Sequence, residues 1–287
     1  MNITGKAKVF GLIGHPVEHS MSPVLHHTLA DILGHEIAYV PFDVKRDLEC
    51  AVKGAFELNL QGMNVTVPYK QEVMKYLEEI DPLAKKIGAV NTLVRTENGY
   101  KGFNTDMPGL KRAMEHDGVT IKEGDFYLIG AGGVARAVLL MLLENGAKNI
   151  HILNRSVDKA KELADTLSKD YASKVSYGDL QSYKEVCLKQ ATAIQATNVG
   201  MYPDSDKAPI EDKEFYQNIN VAYDLIFNPA VTKFMALAGE CKKQAYNGLK
   251  MLLFQGIIAY EYWNKVSVSD EVAEKVYDAM LEELLRR

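Results

Sequence analysis

Hydrophobic residues recur along this chain with two alternating periods. Short runs rich in β-branched and aromatic residues predict strands, and the segments between them show the spacing of amphipathic helices. In the first half the predicted strands are residues 8–13, 37–42 and 62–66, and the predicted helices are residues 22–33 and 47–58. Strands that alternate with helices predict a mostly parallel sheet covered by helices, which is an α/β fold.

A second alternating run begins at Phe126. Its predicted strands are residues 126–129, 149–153, 193–196 and 222–225, with a helix over residues 136–143. From Lys250 onward the pattern is helical, and the last helix carries apolar residues at four-residue steps, namely Val272, Val276, Met280 and Leu284. Pro108 and Gly109 interrupt any regular element between the two runs, so we expect two domains and a hinge near residues 106–110.

Composition narrows the class of protein. The chain has 287 residues, 47% of them hydrophobic, and its net charge of −5 without a dense basic segment argues against nucleic acid as the main partner. Cys50, Cys187 and Cys241 are far apart and match no metal-ligand spacing. No apolar run is long enough to cross a bilayer, and the N-terminus lacks a signal-peptide pattern. We therefore expect a soluble cytoplasmic protein with no membrane partner.

A glycine-rich turn follows the predicted strand that ends at Ile129. The sequence Gly130-Ala131-Gly132-Gly133-Val134-Ala135 would connect that strand to a helix whose first amides point outward. This arrangement binds the pyrophosphate of a dinucleotide. A tight turn without any ligand is the ordinary alternative, but the strand before it and the helix after it favour a nucleotide site.

The end of the next predicted strand indicates which dinucleotide would bind. A site for NAD usually has an acidic residue about 20 residues after the glycines, whereas this chain has Asn154 and Arg155, with Lys159 four residues later. A guanidinium and a second cation suit the 2′-phosphate of NADP, so we predict NADP over NAD. Asp158 is the nearby feature that would suit NAD.

Polar residues gather at three points in the first half. Asn64-Val65-Thr66 ends a predicted strand shortly before Lys70, and Asn-Thr pairs recur within residues 88–92 and 102–106. Because open α/β sheets bind ligands at the carboxyl ends of their strands, we expect the three loops to face one site. A surface ion pair is the ordinary interpretation of Lys70 and Asp106. A lysine held beside a carboxylate can also exchange a proton with a carbonyl oxygen while a nicotinamide delivers hydride.

Together these motifs resemble those of the shikimate dehydrogenase family, whose NADP-linked members interconvert 3-dehydroshikimate and shikimate on the route to chorismate and the aromatic amino acids. The resemblance runs from Gly11 to about Gly256. It rests on Gly14-His15-Pro16 with His19-Ser20-Met21-Ser22-Pro23, on the three loops just described, on Asn154-Arg155-Ser156, and on Gly248-Leu249-Lys250-Met251-Leu252 with Gln255-Gly256.

The resemblance implies a domain organisation. Residues 1–106 with 251–287 would form a substrate-binding catalytic domain, and residues 107–250 would form a Rossmann-type NADP-binding domain. The C-terminal helices would thus return to the first domain. Closure of the two α/β domains during turnover would exclude water, and a homodimer is compatible with the resemblance.

The resemblance also implies roles for individual residues. Lys70 would give a proton to the forming alkoxide, and Asp106 would hold Lys70 in position. Substrate-binding residues would be Ser20 and Ser22 for the carboxylate and Thr66, Asn91, Asp106 and Gln255 for the ring hydroxyls. NADP would bind Gly130, Ala131, Gly132, Gly133, Val134, Ala135, Asn154, Arg155, Ser156, Lys159, Thr197, Gly200, Met201 and Gly248. No metal is implied.

Two of these residues have ordinary alternatives. Ser22 precedes Pro23, so it could serve as the N-cap of a helix. Met201 could be a core residue, which is the interpretation that the sequence alone favours.

Three residues depart from the usual pattern of the family. His27 and Gln195 each stand where asparagine is usual, and Phe227 stands where tyrosine is common. Phe227 lacks a hydroxyl that could reach the substrate, so it bears on substrate affinity.

Three other functions remain open. One is a quinate/shikimate dehydrogenase that uses NAD or NADP, and another is a non-catalytic NADP-binding sensor. The third is a metal site formed by four histidines, His15, His19, His26 and His27. Pro16 lies between His15 and His19, so a regular helix that would place both on one face is disfavoured.

Overall fold

The structure, a computed structural model, describes residues 4–167 and 169–286. The chain divides into two compact units: unit 1 comprises residues 1–110 and 252–287, and unit 2 comprises residues 111–251. The outermost residues of the predicted first domain, 1–3 and 287, lie outside the described residues. Each unit has its own sheet and its own hydrophobic core.

Unit 1 contains a mixed six-stranded sheet. Its strands are β1 (Lys8–Gly14), β2 (Ile37–Asp43), β3 (Gly62–Val65), β4 (Glu79–Ile80), β5 (Thr92–Arg95) and β6 (Tyr100–Phe103). They lie in the order β2-β1-β3-β5-β6-β4. β1 is parallel to β2 and to β3, and β4 is parallel to β6, whereas β5 is antiparallel to both of its neighbours.

Unit 2 contains a fully parallel six-stranded sheet. Its strands are β7 (Asp125–Ile129), β8 (Asn149–Leu153), β9 (Val175–Gly178), β10 (Ala191–Gln195), β11 (Ile219–Asp224) and β12 (Gln244–Tyr246). The order β12-β11-β10-β7-β8-β9 is that of the doubly wound dinucleotide-binding fold. Because the order reverses between β7 and β10, the loops after these two strands diverge and open a crevice within unit 2.

Helices cover both sheets. They are α1 (Ser22–Leu33), α2 (Leu48–Glu57), α3 (Pro82–Ile87), α4 (Asp106–His116), α5 (Gly133–Glu144), α6 (Val157–Asp165), α7 (Lys169–Ala172), α8 (Lys213–Asn218), α9 (Lys233–Glu240), α10 (Leu249–Asn264) and α11 (Asp270–Arg286). Local sequence sets several of their ends, since Asp47 and Asp81 cap α2 and α3 by accepting backbone N–H groups. No described helix is long and apolar enough to span a membrane.

The predicted α/β fold with mostly parallel strands is confirmed, and each predicted strand and helix is present within a few residues of its predicted position. The largest shifts are in α5 and β11, which begin at Gly133 and Ile219 and not at residues 136 and 222. Several short strands were not predicted, namely β4, β5, β6, β9 and β12. Runs of two to four residues are too short to show a period.

The predicted break at Pro108 and Gly109 is wrong, because α4 runs through both residues. Pro108 lies in the first turn of the helix, where a backbone N–H would have no partner within the helix. Gly109 allows α4 to approach α10, since a Cβ there would lie 2.6 Å from the backbone nitrogen of Gln255.

Candidate active site

The polar loops of unit 1 meet at one edge of its sheet. β3 is parallel to β1, so their carboxyl ends at Val65 and Gly14 share that edge. β5 is antiparallel to β3, so it begins at the same edge, and Asn91 lies just before its first residue. β6 is antiparallel to β5, so it ends at this edge, shortly before Asp106. The structure therefore brings together the three loops that the sequence singled out.

Lys70 and Asp106 form an ion pair within this group of loops. Nζ of Lys70 lies 2.6 Å from Oδ2 of Asp106, and the two side chains are 34% and 19% exposed. Oδ1 of Asp106 accepts a hydrogen bond from Nδ2 of Asn91 at 2.8 Å, and the backbone N–H of Asp106 donates to Oδ1 of Asn104 at 3.1 Å. Both carboxylate oxygens and the backbone N–H of Asp106 are thus held, unlike those of a mobile surface ion pair.

Asn91 is buried, and its partners fix the orientation of its amide. Its Oδ1 accepts from the backbone N–H of Thr105 at 2.8 Å, and its Nδ2 donates to the carboxylate of Asp106. The first partner can only donate and the second can only accept. Gln255 of α10 joins the same group, with Oε1 at 3.5 Å from the hydroxyl of Thr105.

Ser20 and Ser22 lie at the start of α1, and the predicted N-cap role of Ser22 is wrong. The N-cap position is Met21, and no side chain caps the helix there. Ser22 is the first residue of the helix, and its backbone N–H donates to Oγ of Ser20 at 3.2 Å. Thr66 follows β3 and packs against Gly14, where a Cβ would lie 2.3 Å from the Thr66 methyl group.

In unit 2 the glycine-rich turn joins β7 to α5. Gly130 has a φ of +115°, which residues with a side chain rarely adopt. A Cβ at Gly132 or Gly133 would meet no atom within 4 Å, so packing inside the chain does not require glycine at either position. Close approach of a pyrophosphate to the backbone would require it. The first amides of α5 have no partner within the helix, so the turn fits a phosphate group.

The predicted 2′-phosphate site lies at the carboxyl end of β8. Nδ2 of Asn154 donates to the backbone oxygen of Ser156 at 2.9 Å, which shapes the turn that carries Arg155. Arg155 and Lys159 are exposed, as is Asp158. Two cations and one carboxylate leave this segment with a net positive charge, which suits a phosphate dianion.

The loop after β10 carries Thr197, Gly200 and Met201. Gln195, one of the departures from the family pattern, is buried and holds this loop: its Oε1 accepts from the N–H of Thr197 at 2.5 Å, and its Nε2 donates to the backbone oxygen of Val199 at 2.9 Å. Met201 is 47% exposed, so the ordinary interpretation of a core methionine is wrong.

Gly248 and Phe227 lie near the ends of β12 and β11. A Cβ on Gly248 would come within 2.2 Å of the backbone oxygen of Leu225, so packing alone accounts for glycine at this position. Phe227 is half-buried in the loop after β11.

His15, His26 and His27 each have a partner other than a metal. Nδ1 of His15 lies 2.6 Å from Oδ1 of Asp43, and Nε2 of His27 accepts the backbone N–H of Tyr39 at 3.1 Å. His26 is fully buried, and its Nε2 lies 3.2 Å from Oδ1 of Asn64. Among the residues that the structure describes, no group of three or more His, Cys, Asp or Glu side chains is placed to hold a metal ion.

Sequence reasoning gave no role to two buried polar residues near these sites, Asn64 and Asp224. Asn64 makes hydrogen bonds with four neighbouring residues. Burial raises the pKa of Asp224 to about 6, although its carboxylate accepts from the hydroxyl of Thr232 and the N–H of Ile226. The signal that could have identified both residues in the sequence is a polar residue inside an apolar strand or at its end.

Two family models match separate parts of the chain. The model described as the shikimate dehydrogenase substrate binding domain matches residues 12–93. The model described as shikimate / quinate 5-dehydrogenase matches residues 112–200.

Individual proteins are similar along nearly the whole chain. A shikimate dehydrogenase (NADP(+)) of Methanocaldococcus jannaschii is 41% identical over 276 residues, which cover 94% of this chain and 96% of that protein. A crystal structure of a shikimate dehydrogenase in complex with NADP+ has a TM-score of 0.87 at 38% identity and covers 99% of this chain and 98% of its own. The crystal structure of shikimate 5-dehydrogenase from Thermus thermophilus in complex with NADP(H) and shikimate has a TM-score of 0.82 at 30% identity. The match covers 95% of this chain and 99% of that one.

Proposed function

The chain belongs to the shikimate dehydrogenase family, and we infer that it catalyses the reversible, NADPH-dependent reduction of 3-dehydroshikimate to shikimate. It is an NADP-dependent oxidoreductase that acts on a CH–OH group, in the pathway to chorismate and the aromatic amino acids. The observation that carries this inference is the ion pair of Lys70 and Asp106 beside the amide of Asn91.

Unit 1 supplies polar side chains that match a hydroxylated carboxylic acid. The hydroxyls of Ser20 and Ser22 would bind the carboxylate, as the family resemblance implies. The ring hydroxyls would bind a mixture of donors and acceptors, which suits a polyol because each hydroxyl can both donate and accept. Those residues are Thr66, Asn91, Asp106 and Gln255.

Lys70 would act as the acid in the reductive direction. Its ammonium would donate a proton to the oxygen that becomes the new hydroxyl, and its amine would take that proton back in the oxidative direction. Asp106 would hold Nζ in place. Since the other oxygen of Asp106 is bound by Asn91, the carboxylate cannot rotate without breaking a second hydrogen bond.

Unit 2 would hold the cofactor. When bound, NADPH supplies the hydride that reduces the carbonyl carbon. The amides of the turn from Gly130 to Ala135 would bind the pyrophosphate, and the segment from Asn154 to Lys159 would bind the 2′-phosphate. Thr197, Gly200, Met201 and Gly248 would line the nicotinamide half of the site.

The test is an absorbance assay for reduced nicotinamide in which shikimate and quinate are each combined with NADP and with NAD. We expect rapid reduction of NADP in the presence of shikimate and little reduction in the other three combinations. Turnover of quinate or NAD at a comparable rate would instead assign the chain to the quinate/shikimate branch. Tight NADP binding without turnover of either acid would favour the non-catalytic sensor.

A cytoplasmic location and a homodimer remain proposals. The first is supported by the three widely spaced cysteines, which the structure leaves as free thiols. Fractionation of cells would test the location, and light scattering would test the dimer.

A further inference from the structure

Asn64 of β3 is buried opposite Thr92 of β5. Its Oδ1 accepts from the hydroxyl of Tyr39 at 2.8 Å and lies 3.2 Å from Nε2 of His26. Its Nδ2 donates to Oγ1 of Thr92 at 3.2 Å and to the backbone oxygen of Asn91 at 3.5 Å. Partners inside the protein therefore use both donors and both acceptor positions of this amide, and it needs no substrate hydroxyl to satisfy it.

Thr92 connects Asn64 to the acid/base pair. Oγ1 of Thr92 is fully buried and donates to Oδ1 of Asn91 at 3.0 Å. Nδ2 of Asn91 donates to Oδ1 of Asp106 at 2.8 Å, and Oδ2 of Asp106 lies 2.6 Å from Nζ of Lys70. One continuous chain of hydrogen bonds thus leads from Asn64 through Thr92, Asn91 and Asp106 to Lys70.

The direction of this chain is set by groups that can only donate or only accept. The carboxylate of Asp106 accepts, which directs the NH2 group of Asn91 toward it. The backbone oxygen of Asn91 also accepts, which directs the NH2 group of Asn64 toward β5. Because the amide nitrogen of Asn64 then donates to Oγ1 of Thr92, the hydroxyl proton of Thr92 points away from Asn64. It points toward the side of Asn91 and Thr105, where Oδ1 of Asn91 lies at 3.0 Å and Oγ1 of Thr105 at 3.1 Å.

The far end of the chain is closed by His26. This residue is fully buried and stacks on Tyr39 at a ring distance of 4.2 Å, with the ring of Trp263 at 5.1 Å. Burial lowers the pKa of His26 to about 3, so its ring is neutral at physiological pH. To donate to Oδ1 of Asn64 it must carry its proton on Nε2, and Nδ1 then has no hydrogen-bond partner. An unpaired buried acceptor destabilises the fold. Here Nδ1 of His26 is left unpaired because Nε2 carries the proton that fixes the orientation of Asn64.

From this geometry we propose that Asn64 and Thr92 are positioning residues for the reaction: together with Thr105 they fix the amide of Asn91, which holds Asp106 and, through it, the ammonium of Lys70. The proposal rests on the proposed function, since it concerns how the same acid/base pair is aligned. Small displacements of a catalytic group reduce rate strongly, because the reacting atoms must meet within a narrow range of distance and angle.

The test compares Thr92→Val with Thr92→Ser in the full-length protein, using shikimate and NADP. Valine keeps the shape of threonine but cannot accept from Asn64 or donate to Asn91. We expect kcat to fall by roughly tenfold to a hundredfold, on the scale of a misplaced catalytic group, while the KM for NADP is unchanged. Serine restores the hydroxyl and is expected to restore most of the turnover.

Tyr100→Phe is the matched control. Its hydroxyl is also buried in unit 1, but it donates to the backbone oxygen of Leu60, outside this chain of hydrogen bonds. Urea unfolding should show a loss of stability for this variant, with kcat unchanged. A control variant that loses as much turnover as Thr92→Val would mean that any lost buried hydroxyl has this effect, and it would overturn the proposal.

Asn64→Asp provides a second test. It keeps an acceptor for Tyr39 and His26 but removes the NH2 donor to Thr92. We expect a lower kcat, and no further loss when it is combined with Thr92→Val, because both changes break one chain of contacts. Wild-type turnover in Thr92→Val, no rescue by Thr92→Ser, or losses that multiply in the double variant would each overturn the proposal. A wild-type protein inactive on shikimate would overturn the proposed function itself.

Discussion

The two units hold their functional groups in different ways. In unit 1 the side chains bind one another: Lys70 is paired with Asp106, Asp106 with Asn91, and Asn91 with buried residues behind it. In unit 2 the groups assigned to the cofactor are backbone amides and exposed side chains, Arg155 and Lys159 among them. Unit 1 thus fixes the orientation of its functional side chains before any ligand binds, whereas unit 2 presents charged groups and N–H groups to a ligand.

This difference predicts how substitutions should act. A group held by several hydrogen bonds contributes its position, which matters most in the transition state. Exposed cations and backbone amides contribute electrostatic binding, which acts in the ground state as well. Substitutions in unit 1 should therefore change turnover most, and substitutions in unit 2 should change cofactor affinity most.

The largest effect is expected for Lys70→Ala. Removal of the acid should lower kcat by roughly 10²- to 10⁴-fold, the usual contribution of general acid/base groups, with NADP affinity unchanged. Lys53→Ala is the control, since Nζ of Lys53 lies at the same 2.6 Å from a carboxylate but on the surface of α2. Steady-state kinetics and NADP titration measure both quantities. Near-normal turnover would contradict the role of Lys70.

In unit 2, Arg155→Ala should raise the KM for NADP by roughly tenfold to a hundredfold, the worth of hydrogen bonds to a charged group. The KM for NAD should change little, because NAD lacks the 2′-phosphate. Lys161→Ala is the control: it lies on α6 but pairs with Asp165 at 2.6 Å. Equal effects on the KM values of the two cofactors would show that Arg155 does not bind the 2′-phosphate. A loss of kcat with an unchanged KM would contradict the expectation that substitutions in unit 2 act on cofactor affinity.

A smaller effect in unit 1 is expected for Ser20→Ala combined with Ser22→Ala. The double variant should raise the KM for shikimate by about tenfold and leave the KM for NADP unchanged, because it removes two hydroxyls assigned to the substrate carboxylate. Ser182→Ala in unit 2, which loses a hydroxyl bonded to His151, is the comparison variant. Unchanged affinity for shikimate in the double variant would place the carboxylate elsewhere.

The smallest effect is a difference in acid stability. Burial lowers the pKa of His26 to about 3, so the unfolded chain binds a proton that folded unit 1 does not, and unit 1 loses stability as the pH falls from 6.5 toward 3. In unit 2, burial lowers the pKa of His151 to about 4 and raises that of Asp224 to about 6. The contribution of Asp224 is present below pH 3.8 and is lost as the pH rises through 6, so it opposes that of His151.

We therefore expect unit 1 to lose more stability than unit 2 between pH 7 and pH 5. Hydrogen exchange of peptides from each unit, corrected for the intrinsic dependence on pH, measures the two separately. Asp224→Asn should make unit 2 more sensitive to acid, because His151 is then unopposed. Equal losses in the two units of the wild-type protein would contradict the expectation.

The sequence predicted well what depends on neighbouring residues. Strands such as β1 and β8 and the helix α1 have clear periods or end signals, and the glycine turn at Gly130 is defined by a strand and a helix beside it. The break at Pro108 was predicted wrongly, because a proline disrupts a helix interior but not its first turn. Whether a proline lies in a first turn depends on where the helix begins, which the local pattern around residue 106 does not show.

The sequence by itself determined the α/β class, the glycine turn after β7 and the residue types around Lys70 and Asp106, since each is encoded in a short segment. Tertiary structure alone decided that Asn64 and Thr92 face each other in the sheet and that His26 is neutral. Register between β3 and β5 and burial by residues distant in the chain set these properties. A hydrogen bond acquires its direction, and a titratable group its pKa, only from the neighbours that folding brings to it.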